Sequence, residues 1–428
     1  MSSPVESLTS DINATESFGA VTRFLRRKII GQLSQIEGGR IYLRDALGSQ
    51  TLGKDDSASG IQVRLSIRSP EFYRQVALNG SVGAGESYMD NLWYCDDLVG
   101  LVRLLVINRD LLDSMESGTA KIGGWLMKAA HAFTRNTRTG SKKNIAAHYD
   151  LGNDLFKLFL CNNLMYSSAI FTNADDTLEI ASDRKLERIC QKLDLKPTDH
   201  LIEIGTGWGG MALYAAKNYG CKVTTTTISK EQHALASLRI AEAGLSDRVT
   251  LLLQDYRDLE GTYDKLVSIE MIEAIGHQYL DTYMEKCTSL LKPDGLALIQ
   301  AITIEDHRYQ QALHSVDFIK RYIFPGSFIP CVDAMVSAAA QSGPLRLLNL
   351  EDIGPSYART LHEWRRRFMS QLDGVRSLGY DDRFIKMWEF YLAYCEGAFI
   401  ERSISDVHLL FARSQNRRAE FLPPTIRA

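Results

Sequence analysis

The chain has 428 residues, a formal net charge of −3, 45% hydrophobic and 24% charged residues. That length supports a full core and two domains, and the near-balanced charge excludes a general attraction to nucleic acid. Seven cysteines stand singly without a C-x-x-C pair, which excludes a disulfide framework and points to a reducing compartment.

The segment Met1–Ser17 is polar and acidic, without the basic-then-apolar order of a secretion signal. No apolar run approaches the roughly 18 residues needed to span a bilayer. A cytoplasmic protein is expected, one that would meet lipid only from the water side, peripheral on the inner face of the membrane. From Phe24 to Leu112, strand-like runs (Gly39–Leu43, Ile61–Leu65) mix with helix-like ones (Phe72–Ala77, Leu98–Ile107). They predict a small α+β domain over residues 1–120. Residues 121–144 hold Gly123-Gly124 and the basic Arg135, Arg138, Lys142 and Lys143, and read as an exposed linker. Contact with phosphate headgroups is the alternative account of those charges.

From residue 145 helix and buried strand alternate. Helix 176–193 leads to strand Leu201–Ile204, helix 208–219 to Val223–Ile228, and helix 230–243 to Val249–Leu253. Strand Lys265–Ile269, helix 279–291 and strand Leu296–Ile302 follow. This order predicts an α/β fold with a doubly wound, mostly parallel sheet over residues 145–428. The stretch Ala358–Glu401 reads as long helices whose aromatics (Trp364, Phe368, Phe384, Trp388, Tyr391, Tyr394, Phe399) suit packing.

The first of these strands runs into Gly205-Thr206-Gly207-Trp208-Gly209-Gly210 and then a helix. Glycines here permit a tight turn and close approach of a ligand to backbone amides. A nicotinamide site wants an acid at the tip of the second strand. That strand instead ends Thr224-Thr225-Thr226-Thr227-Ile228-Ser229. The loop also lacks the lysine of a nucleotide-phosphate site. A methyltransferase with a cationic sulfonium ligand remains. Glu203 and Asp255 suit such a ligand electrostatically, although each could be a structural carboxylate.

Several motifs now occur in order: Ala147-His148-Tyr149-Asp150-Leu151-Gly152-Asn153-Asp154, Met165-Tyr166-Ser167-Ser168-Ala169, the glycine loop, Thr227–Gln232, and Gln254-Asp255-Tyr256-Arg257. Met271-Ile272-Glu273, Arg321–Gly326, Tyr357 and Cys395–Phe399 follow, and Asn79–Asp90 precedes them in the first domain. Together they resemble the cyclopropane fatty acyl phospholipid synthases and the related mycolic acid cyclopropane synthases. The first domain favours the phospholipid branch.

The resemblance implies S-adenosylmethionine as cofactor and an unsaturated phospholipid at the membrane surface as partner. It is compatible with a homodimer and implies no metal. Its cofactor contacts fall on Tyr166, Ser167, Gly205, Gly207, Thr227 and Gln232, and near Asp255 and Tyr256. An isolated alkene is a poor nucleophile, so methyl transfer leaves a carbocation that must be shielded from water. Tyr322, Phe324 and the C-terminal aromatics are candidates for that shield, core packing being the other account. Ring closure needs a base.

In the resembling family the base is bicarbonate, and the matching positions here are Ser168, Glu273, Gln300, Ile302 and Tyr357. Two depart from the pattern: serine stands for cysteine at Ser168, and glutamine for histidine at Gln300. Glutamine cannot carry charge or relay a proton. Slow proton loss would let the cation rearrange by hydride shift. The resemblance implies a cyclopropane ring as product, these departures make a methyl-branched unsaturated chain the alternative, and Gln300→His with Ser168→Cys is expected to raise the ring share. Cys395 matches a cysteine often singled out in the family, although neither route needs a thiolate. A methyltransferase of soluble or carrier-bound substrates, and a lipid-binding protein without catalysis, are the competing functions.

Overall fold

A computed structural model describes residues 18–54, 60–111 and 152–418. The basic run within 121–144 and the motif residues Ala147–Leu151 lie outside them. The described chain forms two compact units. Residues up to 111, with 315–323 and 379–401, make the first; residues 152–314, 324–378 and 402–418 make the second. The sequence reading drew one boundary region between residues 120 and 145. The chain instead returns twice to the first unit.

In the first unit, helices α1 (Ala20–Leu33), α2 (Glu71–Met89) and α3 (Leu98–Ile107) accompany a sheet of β1 (Gly39–Asp45), β2 (Gly48–Leu52), β3 (Ile61–Ile67) and β4 (Trp93–Cys95). The order is β2-β1-β3-β4, with β1 and β3 parallel. Strict alternation puts Ile61, Val63, Leu65 and Ile67 on the buried face. Asp45, buried at the end of β1, accepts from Arg26 Nε at 2.6 Å and Tyr73 Oη at 2.5 Å, so its charge is compensated. Phe318 lies so close to Gly85 that a Cβ there would fall 2.2 Å from its ring.

The second unit holds a seven-stranded sheet: β5 (His200–Ile204), β6 (Lys222–Thr227), β7 (Val249–Leu253), β8 (Tyr263–Ile269), β9 (Leu291–Ile304), β10 (Leu345–Asp352) and β11 (Ile404–Arg413). Their order is β10-β11-β9-β8-β5-β6-β7. The neighbours β9-β8, β8-β5, β5-β6 and β6-β7 pair parallel, while β11 pairs antiparallel with β9 and β10. Helix α4 (Leu178–Leu193) leads into β5, and α5 (Gly210–Tyr219), α6 (Lys230–Glu242), α7 (Leu280–Ser289), α8 (Val332–Gln341) and α9 (Gly354–Ser370) lie between successive strands. This is the mostly parallel, doubly wound sheet of class I methyltransferases.

Two helix starts are set by local capping. Thr177 accepts from the Ile180 amide before α4, and Ser229 from the Gln232 amide at 3.2 Å before α6. The chain runs β5-β6-β7 in one direction and then crosses to β8 on the other side of β5. That switch opens a crevice at the carboxyl ends of β5 and β8, the place where open α/β sheets bind ligands.

Candidate functional site

The glycine loop leaves the tip of β5 and is tied to β6: the amides of Gly205 and Thr206 both donate to Thr226 O, at 3.2 and 2.9 Å. Gly207 has φ +53°, and a Cβ built on it would point into open space. The backbone there thus combines a conformation that favours glycine with room for a ligand to approach. Glu203 is 2% exposed, accepts from Thr225 Oγ1 at 2.6 Å, and is pushed up to about 8 by burial, against the pull of Thr225 and the Lys185 charge. A cation at the strand tips would favour its ionised form. Thr227 Oγ1 donates to Gln232 Oε1 at 2.8 Å, joining the ends of β6 and α6. Open backbone, an under-compensated carboxylate and polar groups at adjacent strand ends fit a cationic adenosyl cofactor.

Asp255 behaves differently from the sequence expectation of an electrostatic partner. Its two oxygens accept from Arg257 Nε and Nη2 at 2.8 and 2.6 Å, so its charge is already balanced. Beside it, Tyr256 packs edge-on to Tyr283 at 5.5 Å between centroids, with its hydroxyl buried. Tyr166 sits among aromatic rings, 5.1 Å from Trp364, 5.2 Å from Phe156 and 6.4 Å from Phe324. Ser167 Oγ accepts from Lys185 Nζ at 2.7 Å.

The residues matched to the anion site do converge, but on a carboxylate of the chain itself. Glu270, one residue beyond β8, receives the Ser168 amide at 2.8 Å and Gln300 Nε2 at 2.8 Å on Oε1, and the Tyr357 hydroxyl at 2.7 Å on Oε2. Ile302 N donates to Glu273 Oε1 at 2.6 Å. Ser168 Oγ turns away to Ala169 O. Every donor assigned to bicarbonate from the sequence is therefore engaged internally, and the residues present do not fit a bound bicarbonate.

Glu270 also has φ +47°, a left-handed conformation that costs a non-glycine residue on the order of 1 kcal/mol. Its three hydrogen bonds hold it there. Burial raises its pKa, while the Ser168 amide, Tyr357 and Lys185 pull it down.

Neighbouring groups complete a buried network absent from the sequence reading. Gln300 Nε2 also donates to Asp406 Oδ2 at 2.7 Å, and its Oε1 lies 3.2 Å from His408 Nε2. Burial and then the Glu270 charge push Asp406 far up, which favours its neutral form. Burial holds His408 neutral. Its Nε2 is then the donor to Gln300 Oε1, which turns the glutamine amino group toward the carboxylates. Glu273 is pushed up to about 8 by burial and then by the Glu270 charge, with Oε2 buried and unpartnered. Lys185, wholly buried and lowered to about 8 by burial, faces Glu270, Asp406 and Glu203. It thus links the cofactor end to the carboxylate cluster.

Four of these residues left signals in the sequence. Lys185 interrupts the apolar face of α4, between Ser182 and Ile189, and Glu270 stands three residues before Glu273 at a strand tip. Asp406 and His408 interrupt an apolar strand.

Two expected residues belong elsewhere. Cys395 lies on helix α10 (Asp382–Ile400) in the first unit, where burial raises its thiol pKa. Tyr322, also in the first unit, donates to Glu86 Oε1 at 2.5 Å. Among the described residues no cluster could hold a metal ion, and no helix is long and apolar enough to cross a membrane.

A family model for mycolic acid cyclopropane synthetase matches residues 136–409. The chain belongs to that family. Its relatives include the tuberculostearic acid methyltransferase UfaA1 of Mycobacterium tuberculosis, 38% identical over 78% of this chain and 80% of the relative. The cyclopropane-fatty-acyl-phospholipid synthase of Escherichia coli K12 is 35% identical over 82% of this chain and 87% of its own length. The structure of mycolic acid cyclopropane synthase CmaA1 complexed with SAH and CTAB aligns at TM-score 0.59 and 27% identity, over 63% of this chain and 98% of that one. This member of the cyclopropane synthetase family is accordingly an S-adenosylmethionine-dependent methyltransferase of lipid modification.

Proposed function

We propose that the enzyme methylates the cis double bond of an unsaturated fatty acyl chain in a membrane phospholipid, and that it releases a methyl-branched unsaturated chain without a ring. Relatives named both for methylation and for ring formation support the acyl alkene as substrate. The cofactor, when bound, supplies an electrophilic methyl group. Gly205, Gly207, Thr227 and Gln232 would hold it at the strand tips, with Glu203 answering its charge. The rings of Tyr166, Phe324 and Trp364 would keep water from the positive charge left on the acyl chain.

The choice of product rests on one observation, the Glu270 carboxylate inside the ring of donors. Ring closure would need an anion with an oxygen left free to take a proton from the new methyl group. Glu270 has only two oxygens, and both accept hydrogen bonds within the chain. Burial raises the Glu270 pKa on balance, so its limit as a base is positional: both oxygens are turned toward donors of the chain and away from the new methyl group. Proton loss from the methyl group then slows, and hydride shift from the methyl-bearing carbon gives a tertiary cation. That cation loses a proton from an adjacent chain carbon to the carboxylate cluster, which forms the new double bond and keeps all three methyl hydrogens. Each factor of ten in that competition is about 1.4 kcal/mol between exit barriers.

The test is expression in a bacterium lacking its own cyclopropane synthase, with a deuterated donor methyl and combined NMR and mass spectrometry of the lipids. Vinyl signals with retained methyl deuterium are expected, and ring signals as the main product would overturn the reading. Gln300→His with Ser168→Cys leaves Glu270 in place. It is now expected to keep the branched product, contrary to the expectation from the sequence.

A further inference from the structure

We propose that Glu270 is a built-in oxyanion, a tethered carboxylate that makes this methyltransferase independent of the small free anion its site would otherwise need. The proposal rests on the methyl-transfer reading above but not on which product forms. Its first support is the donor set. A backbone amide (Ser168), a side-chain amide (Gln300) and a phenol (Tyr357) approach one point from three separate segments. Convergent neutral donors of this kind make an anion site. The Glu270 headgroup is that anion.

The second support is the backbone. Glu270 stands at φ +47°, where a glycine would sit without strain. The main chain at this point has the shape of a glycine-bearing turn, yet a long acidic side chain issues from it into the donors. Its amide also donates to Gln300 O at 2.9 Å, so the turn is pinned independently of the side chain. Removing that side chain should relieve the backbone and leave the donors around a space the size of a carboxylate. The third support is charge. Lys185, buried behind Ser167 and donating to it, faces Glu270, Asp406 and Glu203, and so supplies a positive charge beside the carboxylate at the donors.

The experiment compares the full-length enzyme with Glu270→Gly and Glu270→Gln, using vesicles of unsaturated phospholipid, S-adenosylmethionine, and buffer stripped of carbon dioxide. Wild-type turnover should not change when bicarbonate is restored. Glu270→Gly should fold, shown by an unfolding midpoint at or above that of the wild type, and should lose at least tenfold in turnover. Millimolar bicarbonate or formate should then restore a large share of that loss. Glu270→Gln fills the space with a neutral amide, and should be as slow yet gain nothing from either anion.

A second arm needs no lipid: carbon-13 formate should exchange-broaden with Glu270→Gly and not with the wild type. Wild-type turnover that falls in stripped buffer overturns the proposal. So does a folded Glu270→Gly enzyme that binds no formate or keeps full activity. Wild-type failure to methylate any phospholipid would instead count against the substrate reading, and leaves the formate arm to judge Glu270.

Discussion

At the scale of single residues, two positions carry the cofactor expectation. Gly207 combines φ +53° with open space above its Cα, so Gly207→Val both strains the loop and fills the approach. Calorimetry should show S-adenosylmethionine binding lost with only a small change in melting temperature. Glu203 offers a test by pH. Its pKa is raised to about 8, so the free protein holds it mainly protonated at neutral pH, and a cationic ligand binds better to its ionised form.

Binding should release a proton, and affinity should climb with pH by up to about tenfold per unit until pH passes about 8. Glu203→Gln should flatten that slope. The sign for stability is the reverse. The folded chain keeps protons on Glu203 and Glu273 that the unfolded chain loses in the ordinary carboxylate range. The free enzyme should therefore lose stability as pH rises from there toward about 8.

At the scale of elements, the start of α5 depends on how closely segment 163–165 crosses it. A Cβ on Gly210 would fall 2.5 Å from Met165 Sδ and 2.7 Å from the Asn163 carbonyl oxygen. The sulfur can swing aside, but the carbonyl belongs to backbone that Arg239 Nη1 also holds, at 3.2 Å. Gly210→Ala should therefore cost about 1–3 kcal/mol, read by urea denaturation, in spite of alanine's better helix propensity. Cofactor affinity should fall with it, since Tyr166 and Ser167 lie next along that segment.

At the scale of the whole molecule, the sequence boundary would isolate residues 145–428 as a catalytic domain. Residues 315–323 and 379–401 nevertheless pack as part of the first unit. Within that unit Phe318 and Phe390 meet edge-on at 4.7 Å, Phe390 and Trp93 at 6.4 Å, and Gly397 admits Val102 so closely that a Cβ there would lie 2.7 Å from it. A fragment of residues 145–428 exposes these apolar faces. It should elute as aggregate in size-exclusion chromatography, where the full chain elutes as a discrete species. A soluble, monodisperse fragment would show that the sequence boundary is a true folding boundary.

The parallel core of the sheet was legible in the sequence, because each strand, cap and turn there is specified within its own stretch of chain. Strand β7 has the expected bounds, and β5, β6 and β8 start one or two residues early. The glycine loop likewise declares itself, since a positive φ at Gly205, Gly207 and Gly209 is a demand on the local backbone. The antiparallel β10 and β11 were not foreseen, and with them went Asp406 and His408. Those residues meet Gln300 only because β11 pairs with β9 in a register that sets His408 opposite it. The largest revision, Glu270 in place of a free anion, has the same origin. Its donors Ser168, Gln300 and Tyr357 lie 102, 30 and 87 residues away in sequence. Residue types and local turns determined the cofactor class. Only tertiary pairing across the sheet decided which carboxylate stands among the donors.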